Sequence, residues 1–336
     1  MGDPALKLSK KIEDKPIVKQ VLTMTKEKVD NTLTEELIFG ICSPIGSLKD
    51  EVVDAIEYEL SNTYGYEVRR IKLSAFIDKY ATKLEHSKGG ETFAFTELMN
   101  KIKGGNSLRS LHNPACLTEL AIHEINYERM RDKDHLIVPI EDLTSRRKCY
   151  IIDSLKNIQE LVLLRSVYKD IFYQFSIFSP EIERKGNLRK KGLSDREIDM
   201  LMETDEYEKI GEGQNVRDTF VDADFFLRVS KSNIDTIKQK IQRYLNLIFE
   251  SDVVTPRADE IAMYEAKSAA GNSACLSRQV GAAITNKKGE IISRGWNDVP
   301  KFGGNLYKEG EENDERCLHK GFCSNDITKD NLTENI

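Results

Sequence analysis

The first two thirds of the chain alternate between short strand-like apolar runs and longer helical stripes. Residues 37–41 form an uninterrupted apolar run that is typical of a buried strand. Apolar residues between 52 and 60 recur at helical spacing, and residues 67–73 alternate as a second strand. A strand, a glycine-containing loop, a helix and a strand in this order predict a βαβ unit with parallel strands.

The same alternation continues to about residue 231. Later strands and helices are predicted at 148–152, 157–168, 170–179 and 225–229. We therefore predict an α/β fold, a doubly wound domain over residues 36–231. Residues 1–35 are polar and are predicted to form an arm that buries little apolar surface.

The remaining residues follow a different pattern. An apolar stripe between 234 and 248 predicts a helix, which we assign to a connecting segment over 232–256. Small residues then repeat along a predicted helix that begins near Ala258. Two short runs, separated by a turn at 286–289, predict a β-hairpin over 279–294. These elements define a second predicted domain over 257–336.

Composition limits the function classes. The 336 residues carry a formal net charge of −6, and charged residues of both signs make up 32%, so the chain lacks the basic footprint of a protein that wraps nucleic acid. No apolar run reaches the roughly 18 residues of a membrane span, and the N-terminus lacks a signal-peptide core. Six cysteines without a dense framework favour a reducing compartment. We therefore expect a cytoplasmic protein without a membrane partner or a strong DNA-binding signal.

The first strand leads into a degenerate phosphate loop, GICSPIGSLK. Backbone N–H groups of a glycine-rich turn before a helix form an anion cradle, so the candidate phosphate-binding residues are Gly40, Ser43, Gly46, Ser47 and Lys49. The common motif G-x-x-x-x-G-K-[ST] is not matched, because five residues separate the two glycines and Ser47 stands where lysine is expected. The pattern favours binding of nucleotide phosphate without lysine-dependent hydrolysis. A strand-to-helix turn without a ligand is the alternative.

Three polar residues accompany this loop in the predicted first domain. Asp153 ends an apolar strand, where phosphate-loop folds often place a carboxylate that organises Mg²⁺. Gln214 and Arg217 precede the last predicted strand, where small nucleotide kinases keep a polar lid. A nucleoside triphosphate with Mg²⁺ is the ligand that these residues suggest. The alternatives are a helix N-cap for Asp153 and, for Arg217, an ion pair with Asp218, Asp222 or Asp224.

Three linked sequences mark the second predicted domain: RQVGAAI at 278–284, GWNDVP at 295–300 and GGNLY at 303–307. The helix, the hairpin and the Gly-Trp-Asn loop are similar to the first part of the cytidine deaminase α/β/α fold. With GICSPIGS, YIIDSLKNIQELVLLRSVY and GQNVRDTFVDADFF, they make the chain resemble the bacterial anti-phage deoxycytidylate deaminase family over about 36–330.

This resemblance implies a phosphate-loop, kinase-like domain joined to a zinc-dependent deaminase domain. Members of the family convert dCTP or related deoxycytidine nucleotides to deoxyuridine nucleotides and thereby deplete them during infection. The resemblance also implies a second, regulatory nucleotide and a homo-oligomeric complete enzyme. It further implies that Asn297 contacts the nucleotide sugar, and a polar turn residue is the alternative for this position.

The zinc chemistry of a deaminase requires H-x-E and P-C-x-x-C, in which His and Cys hold zinc and Glu moves protons. Neither motif occurs, since no His is followed two residues later by Glu and no two Cys are three residues apart. We therefore predict no catalytic residues, and we expect the chain to be an incomplete form of such an enzyme. Cys317, His319 and Cys323 are a candidate structural metal site, with unligated thiols as the alternative.

Three functions are consistent with these patterns. The first is a dCTP or dCMP deaminase with a regulatory phosphate-loop domain, incomplete in this chain. The second is a nucleotide-binding sensor that carries a non-catalytic deaminase remnant. The third, a nucleotide kinase, is disfavoured because Ser47 replaces the key lysine.

Overall fold

The computed structural model describes residues 36–81, 91–134, 147–206 and 216–334. The chain divides into two compact units, Met1–Phe249 and Glu250–Ile336. The predicted arm over 1–35 and the candidate residue Gln214 lie outside the described residues.

A parallel five-stranded sheet forms the centre of the first unit. Its strands are β1 (Leu37–Cys42), β2 (Glu67–Lys72), β3 (Lys148–Leu155), β4 (Phe172–Phe178) and β5 (Phe225–Arg228). They are ordered β2-β3-β1-β4-β5, and every neighbouring pair is parallel. The α/β architecture with a parallel sheet, predicted from the alternating pattern, is confirmed.

The described helices of the first unit surround this sheet. They are α1 (Lys49–Thr63), α2 (Leu73–Tyr80), α3 (Phe93–Leu111), α4 (Cys116–Asp134), α5 (Ile158–Tyr168), α6 (Glu181–Lys190), α7 (Asp195–Glu206), α8 (Val216–Val221) and α9 (Ile237–Ile248). Helices α1 and α9 share one core cluster with the sheet, and α2, α4 and α5 share another. Helix-forming segments thus cover both faces of the sheet, as expected for a doubly wound fold.

Strand β1 is the central strand, and all six of its residues are buried. Phe39 and Ile41 belong to the core cluster of α1 and α9, whereas Ile38 belongs to the other. This division follows from the period of two along a strand, which sends successive side chains to opposite faces. A strand buried on both faces has a continuous apolar sequence, and this explains the run at 37–41.

Helix α9 differs from its predicted role as part of a connecting segment. Ile237, Ile241 and Leu245 are fully buried and join the core cluster that contains α1. Stacked rings of Tyr64 and Phe249, whose centroids are 4.2 Å apart, attach the end of this helix to the end of α1. The predicted apolar stripe is correct, but it packs into the first unit, which extends to Phe249 instead of ending at residue 231.

Helices α3, α6 and α7 form a third apolar cluster beside the sheet. Its buried members are Phe95, Ile102, Leu188, Leu193, Ile198, Leu201 and Met202. Gly104 and Gly105 let α3 approach α2 closely, because an added Cβ at either position would lie within 3.0 Å of Ile77. Residues of α3 and α6 line the cavity beside the loop that follows β1.

The second unit consists of α10 (Ala258–Ala270), the antiparallel hairpin β6 (Gly281–Thr285) and β7 (Ile291–Trp296), α11 (Cys317–Lys320) and α12 (Ser324–Glu334). Gly281 lies directly on α10, since an added Cβ would be 1.9 Å from the backbone oxygen of Ala266. The small residues of α10 therefore allow the hairpin to pack closely against this helix. The predicted helix and the predicted hairpin are both present.

None of the described helices combines the length and the apolar character that crossing a membrane requires.

We expect Leu245→Ala to lower the free energy of unfolding of the full chain by about 2–5 kcal/mol, because it removes a fully buried side chain from the core. The matched control is Leu247→Ala on the same helix, where the side chain is 40% exposed and the change should stay within about 0.5 kcal/mol. Urea denaturation followed by circular dichroism measures both. Equal effects of the two substitutions would show that α9 is a solvated connector.

Candidate functional site

The loop between β1 and α1, residues 43–48, lies at the carboxyl end of β1. The helices that follow β1 and its neighbour β3 pack on opposite faces of the sheet. Helix α1, after β1, packs into one core cluster, and α5, after the adjacent β3, packs into the other. In open α/β sheets, ligands bind in the crevice that opens outside the carboxyl ends of two such strands. A cavity of about 600 Å³ lies at this position. Its volume is typical of a small-molecule site.

The structure brings most of the predicted phosphate-loop residues to this cavity. Ser43, Gly46, Ser47, Lys49 and Asp153 all line it. Gly40 does not, because it lies inside β1. It pairs within the sheet with Ile152 and Gln174, and an added Cβ would lie 2.6 Å from Leu155 and 2.9 Å from Phe172. Gly40 is therefore needed for packing in the strand.

Gly46 is needed for the turn itself. Its φ of +81° lies in the left-handed region, and an added Cβ would be 2.8 Å from the backbone oxygen of Arg184. Side chains of helix α6 also hold the loop by donating hydrogen bonds to its backbone carbonyl oxygens. Arg184 Nε donates to Ile45 O at 2.9 Å, and Asn187 Nδ2 donates to Gly46 O at 3.0 Å. The loop is thus fixed against α6 by backbone and side-chain contacts.

Several backbone N–H groups of the loop donate to protein acceptors. Ile45 N donates to Asp205 Oδ2 at 2.7 Å, Leu48 N to Ser179 Oγ at 3.1 Å, and Ser47 N to Pro44 O at 3.2 Å. These donors are the ones that an anion cradle would direct at phosphate. The Ser47 hydroxyl is buried and has no hydrogen-bond partner among the described residues. In this loop, side chains rather than a full ring of amides are the groups available to an anion.

Lys49, on the first turn of α1, reaches across the crevice to the end of β3. Its Nζ donates to both carboxylate oxygens of Asp153, with Oδ2 at 2.5 Å, and to Ser154 Oγ at 3.1 Å. Asp153 is buried, and Ser154 has a φ of +78°, an uncommon conformation for a residue other than glycine. Asp153 is not the N-cap of α5, because that role belongs to Asn157, whose side chain accepts from Gln159 N.

A buried polar network holds α3, α5 and α7 in place on the other side of the crevice. This network was not predicted from the sequence. Arg109 of α3 pairs with Glu160 of α5 at 2.7 Å, and both side chains are fully buried. The second oxygen of Glu160 accepts from Lys156 N at 2.8 Å and Asn157 N at 3.1 Å. Lys156 Nζ then donates to Asp205 Oδ1 and Ser43 O, both at 2.8 Å. The capping pattern Asn157–Glu160 was visible in the sequence, but the pairing of Glu160 with Arg109 and of Lys156 with Asp205 was not.

The rim of the cavity is positively charged. Lys72, Lys190 and Lys191 line it and are exposed, and no ionic partner is found for them within the described parts of the chain. Of the four acidic residues that line the cavity, Asp153 and Asp205 are paired with Lys49 and Lys156, whereas Asp50 and Glu51 lie on the first turn of α1. Outside the ion pairs of the described residues, the cavity is therefore lined by three lysines and two carboxylates.

Arg217 lies at the start of α8 and lines a second cavity of about 240 Å³. The other lining residues are Pro44, Phe178, Arg184, Val216, Phe220 and Val221. Pro44 belongs to both cavities, so the second one begins at the β1–α1 loop. Of the three aspartates that are alternative partners of Arg217, Asp222 and Asp224 contact Arg165.

Asn297 in the second unit is engaged by the backbone. Its Oδ1 accepts from Val280 N at 2.7 Å, and its Nδ2 donates to Arg278 O at 2.8 Å. Both polar ends of the side chain therefore tie the loop before β6 to the end of β7. This geometry matches the polar turn residue that was the alternative. The exposed side chain keeps a second N–H and a second lone pair, so its contact with a nucleotide sugar stays a prediction.

A cluster of three cysteines forms a candidate metal centre in the second unit. The Sγ atoms of Cys275, Cys317 and Cys323 lie within 4.8 Å of one another, and three thiolates fit the ligand preferences of Zn²⁺. His319, predicted as a ligand, is not in this cluster. Its Nε2 lies 3.1 Å from Asp314 Oδ2, and Cys275 takes the third position instead. Sequence spacing missed Cys275 because it lies more than forty residues before Cys317.

The surroundings of the cluster favour a ligand role for Cys275. A hydrogen bond from the backbone of Arg278 lowers the pKa of the Cys275 thiol, whereas burial raises the pKa of Cys317. A lowered pKa favours the thiolate, which is the form that binds metal. Nearby, Arg316 lowers the pKa of Asp314 to about 2, so this carboxylate stays ionised and holds the loop before α11.

The fold and the sites thus define a parallel α/β unit with a cationic crevice and a second unit with a thiol cluster. No protein-family model matches the chain, and no curated protein matches it. Among solved structures, an uncharacterized protein from Eubacterium ventriosum is 11% identical, with a TM-score of 0.29, over 63% of this chain and 98% of that chain. A guanylate kinase from Anaplasma phagocytophilum is 9% identical, with a TM-score of 0.26, over 67% of this chain and 90% of that chain. Similarity at this level identifies neither a family nor a function, so the sites are interpreted from their own geometry.

We expect Cys275→Ser to lower the zinc content of the loaded full-length protein, because it removes one of three clustered thiols. His319→Ala is the matched control and should leave the zinc content unchanged, since His319 contacts Asp314 instead of the cluster. Mass spectrometry of bound metal, after zinc loading and desalting, gives the readout. Zinc loss in His319→Ala with retention in Cys275→Ser would restore the ligand set proposed from the sequence.

Proposed function

We propose that the first unit binds the phosphate groups of a nucleotide in the crevice between β1 and β3. The observation that carries this proposal is the unpaired cationic rim, Lys72, Lys190 and Lys191, around a cavity at the carboxyl edge of a parallel sheet. Phosphate is attracted by such clustered cations. The unpartnered Ser47 hydroxyl adds a neutral donor on the wall of the same cavity.

The second cavity supports a nucleotide rather than an isolated phosphate. Phe178 and Phe220 give it aromatic walls, and Arg184 and Arg217 add planar guanidinium groups. Bases stack on aromatic rings and on arginine planes. Pro44 lines both cavities, so the two are adjacent, and we place the phosphates in the first and the base in the second.

Sensing fits this site better than phosphoryl transfer. The loop lacks the lysine that follows the second glycine in common phosphate loops, since Ser47 stands there. Backbone donors at Ile45 and Leu48 are directed at Asp205 and Ser179, so they are not poised for a transferred phosphoryl group. We therefore favour a nucleotide-binding, regulatory role for the first unit.

Deamination of deoxycytidine nucleotides, which the sequence resemblance implies, is the second candidate function. The specific observation in its favour is the helix α10 with the hairpin β6–β7, the elements expected at the start of a cytidine deaminase fold. The three clustered thiols in the same unit are a candidate metal site that is consistent with this function. It contains no carboxylate among the described residues that would move protons in the way the catalytic Glu does.

We expect Ser47→Ala to weaken nucleotide binding about tenfold, the effect of losing one charge-assisted hydrogen bond. Since the Ser47 hydroxyl has no partner within the described structure, the free energy of unfolding should change by less than about 0.5 kcal/mol. Calorimetric titration with ATP, dCTP and inorganic tripolyphosphate measures the affinities. The matched control is Ser166→Ala on the exposed face of α5. Unaltered affinity in Ser47→Ala, or no binding by the parent protein, contradicts the proposal.

We expect purified 1–336 to release no deoxyuridine nucleotide from dCTP or dCMP, even when loaded with zinc. The reason is that the sequence contains neither H-x-E nor P-C-x-x-C. Chromatographic separation of the nucleotides against a no-protein control gives the readout. Deamination that persists through repurification, and that Cys275→Ser abolishes, would identify the thiol cluster as a catalytic centre.

A further inference from the structure

The second unit contains almost no apolar core. Among its described residues, the buried apolar side chains are those of Ala269, Cys317 and Cys323. The three hydrophobic core clusters of the described residues all lie in the first unit. Strands β6 and β7 contain no buried residue. Burial of apolar surface, which stabilises the first unit, therefore contributes little to the stability of the second.

Large apolar side chains of the second unit are exposed instead. Ile284 and Ile292 of the hairpin are 60% and 65% exposed, and Tyr264 of α10 is 73% exposed. A small unit without a sufficient core needs another source of stability, which is a set of disulfide bonds, a metal ion or association with another chain. The six cysteines of the chain are free thiols, so disulfide bonds do not stabilise this unit.

The thiol cluster lies where the second unit is most buried. Two of its three members, Cys317 and Cys323, are themselves buried, and the three Sγ atoms lie within 4.8 Å of one another. The members come from separate segments. Cys275 lies in the loop between α10 and β6, Cys317 begins α11, and Cys323 immediately precedes α12. One ion bound by all three thiolates would therefore cross-link the loop before the hairpin to the starts of both later helices.

We propose that the second unit folds only when the thiol cluster binds Zn²⁺, so that the metal takes the place of a hydrophobic core. Cysteine thiolates are the ligands of structural zinc sites, which contribute folding free energy directly. The three segments are brought together only in the folded unit, and the free energy of metal binding is then also free energy of folding. The first unit has its own core clusters and folds without the ion. This inference is independent of nucleotide binding in the crevice.

Hydrogen exchange of the full chain, measured by mass spectrometry of its peptides, tests the proposal. The protein is compared after EDTA treatment and after zinc loading, with a phosphine reductant present in both samples. We expect peptides from β6 and β7 to exchange at least tenfold more slowly in the zinc-loaded protein, because local opening then requires loss of the metal. Peptides from β1 and β3 are the internal control and should exchange equally in both samples. Equal exchange of β6 and β7 with and without zinc overturns the proposal.

Variants of the full chain separate metal binding from simple packing of the thiols. Cys323→Ser should exchange at β6 and β7 as the EDTA-treated parent does, whether or not zinc is added. His319→Ala is the matched control, because His319 lies between two ligands in the sequence but contacts Asp314, and it should keep the zinc-dependent protection. Zinc-dependent protection in Cys323→Ser equal to that of the parent overturns the role of the cluster.

Titration with Co²⁺ links the metal to folding. In the parent protein, the rise of the cobalt–thiolate absorption and the slowing of exchange at β6 and β7 should have the same midpoint. Cobalt binding that leaves the exchange of these strands unchanged would show a metal site without a role in folding, and it overturns the proposal. Protection in EDTA that increases with protein concentration also overturns it, because a second copy would then cover the exposed apolar side chains.

Discussion

The central position of β1 is the constraint on which the rest of the first unit depends. The strand is buried on both faces, and its backbone hydrogen-bonds in parallel with β3 on one edge and with β4 on the other. Gly40 permits this, since Leu155 and Phe172 occupy the space of a side chain. Because β3 lies beside β1, the loop after β1 opens next to Asp153. The crevice, the pairing of Lys49 and the cavity all follow from this register.

Buried charges determine the shape of that crevice. Arg109, Glu160, Lys156 and Asp205 connect α3, α5, the end of β3 and α7 to the β1–α1 loop. Removing one member would leave a buried charge unpaired, at a cost of about 3–5 kcal/mol. In the same network, the backbone N–H of Ile45 donates to Asp205. In this loop, the backbone N–H groups of Ile45 and Leu48 are thus directed at protein acceptors and not at the open crevice.

The second unit also depends on a glycine that permits close backbone packing, but its candidate site consists of thiols instead of charged side chains. Gly281 lets β6 lie against α10, and Asn297 ties the strands of the hairpin to the preceding loop. This arrangement holds Cys275 beside Cys317 and Cys323. Three clustered thiols in one unit and a lysine-lined crevice in the other give the chain two groups of side chains with different ligand preferences.

The sequence by itself determined the local elements and their order. The apolar run at 37–41, the stripe in α1 and the turn at 286–289 fixed strands and helices because side-chain periodicity reflects which faces are buried. The departure of the loop from the common phosphate-loop motif and the absence of H-x-E and P-C-x-x-C are also evident from the sequence alone, since they depend only on residue identity. Only the tertiary structure decided that Gly40 serves packing, that α9 joins the core and that Cys275 replaces His319. The partners of Lys49, Lys156 and Arg109 likewise lie about fifty to one hundred residues away. Such contacts depend on strand order and helix register, which local patterns do not encode.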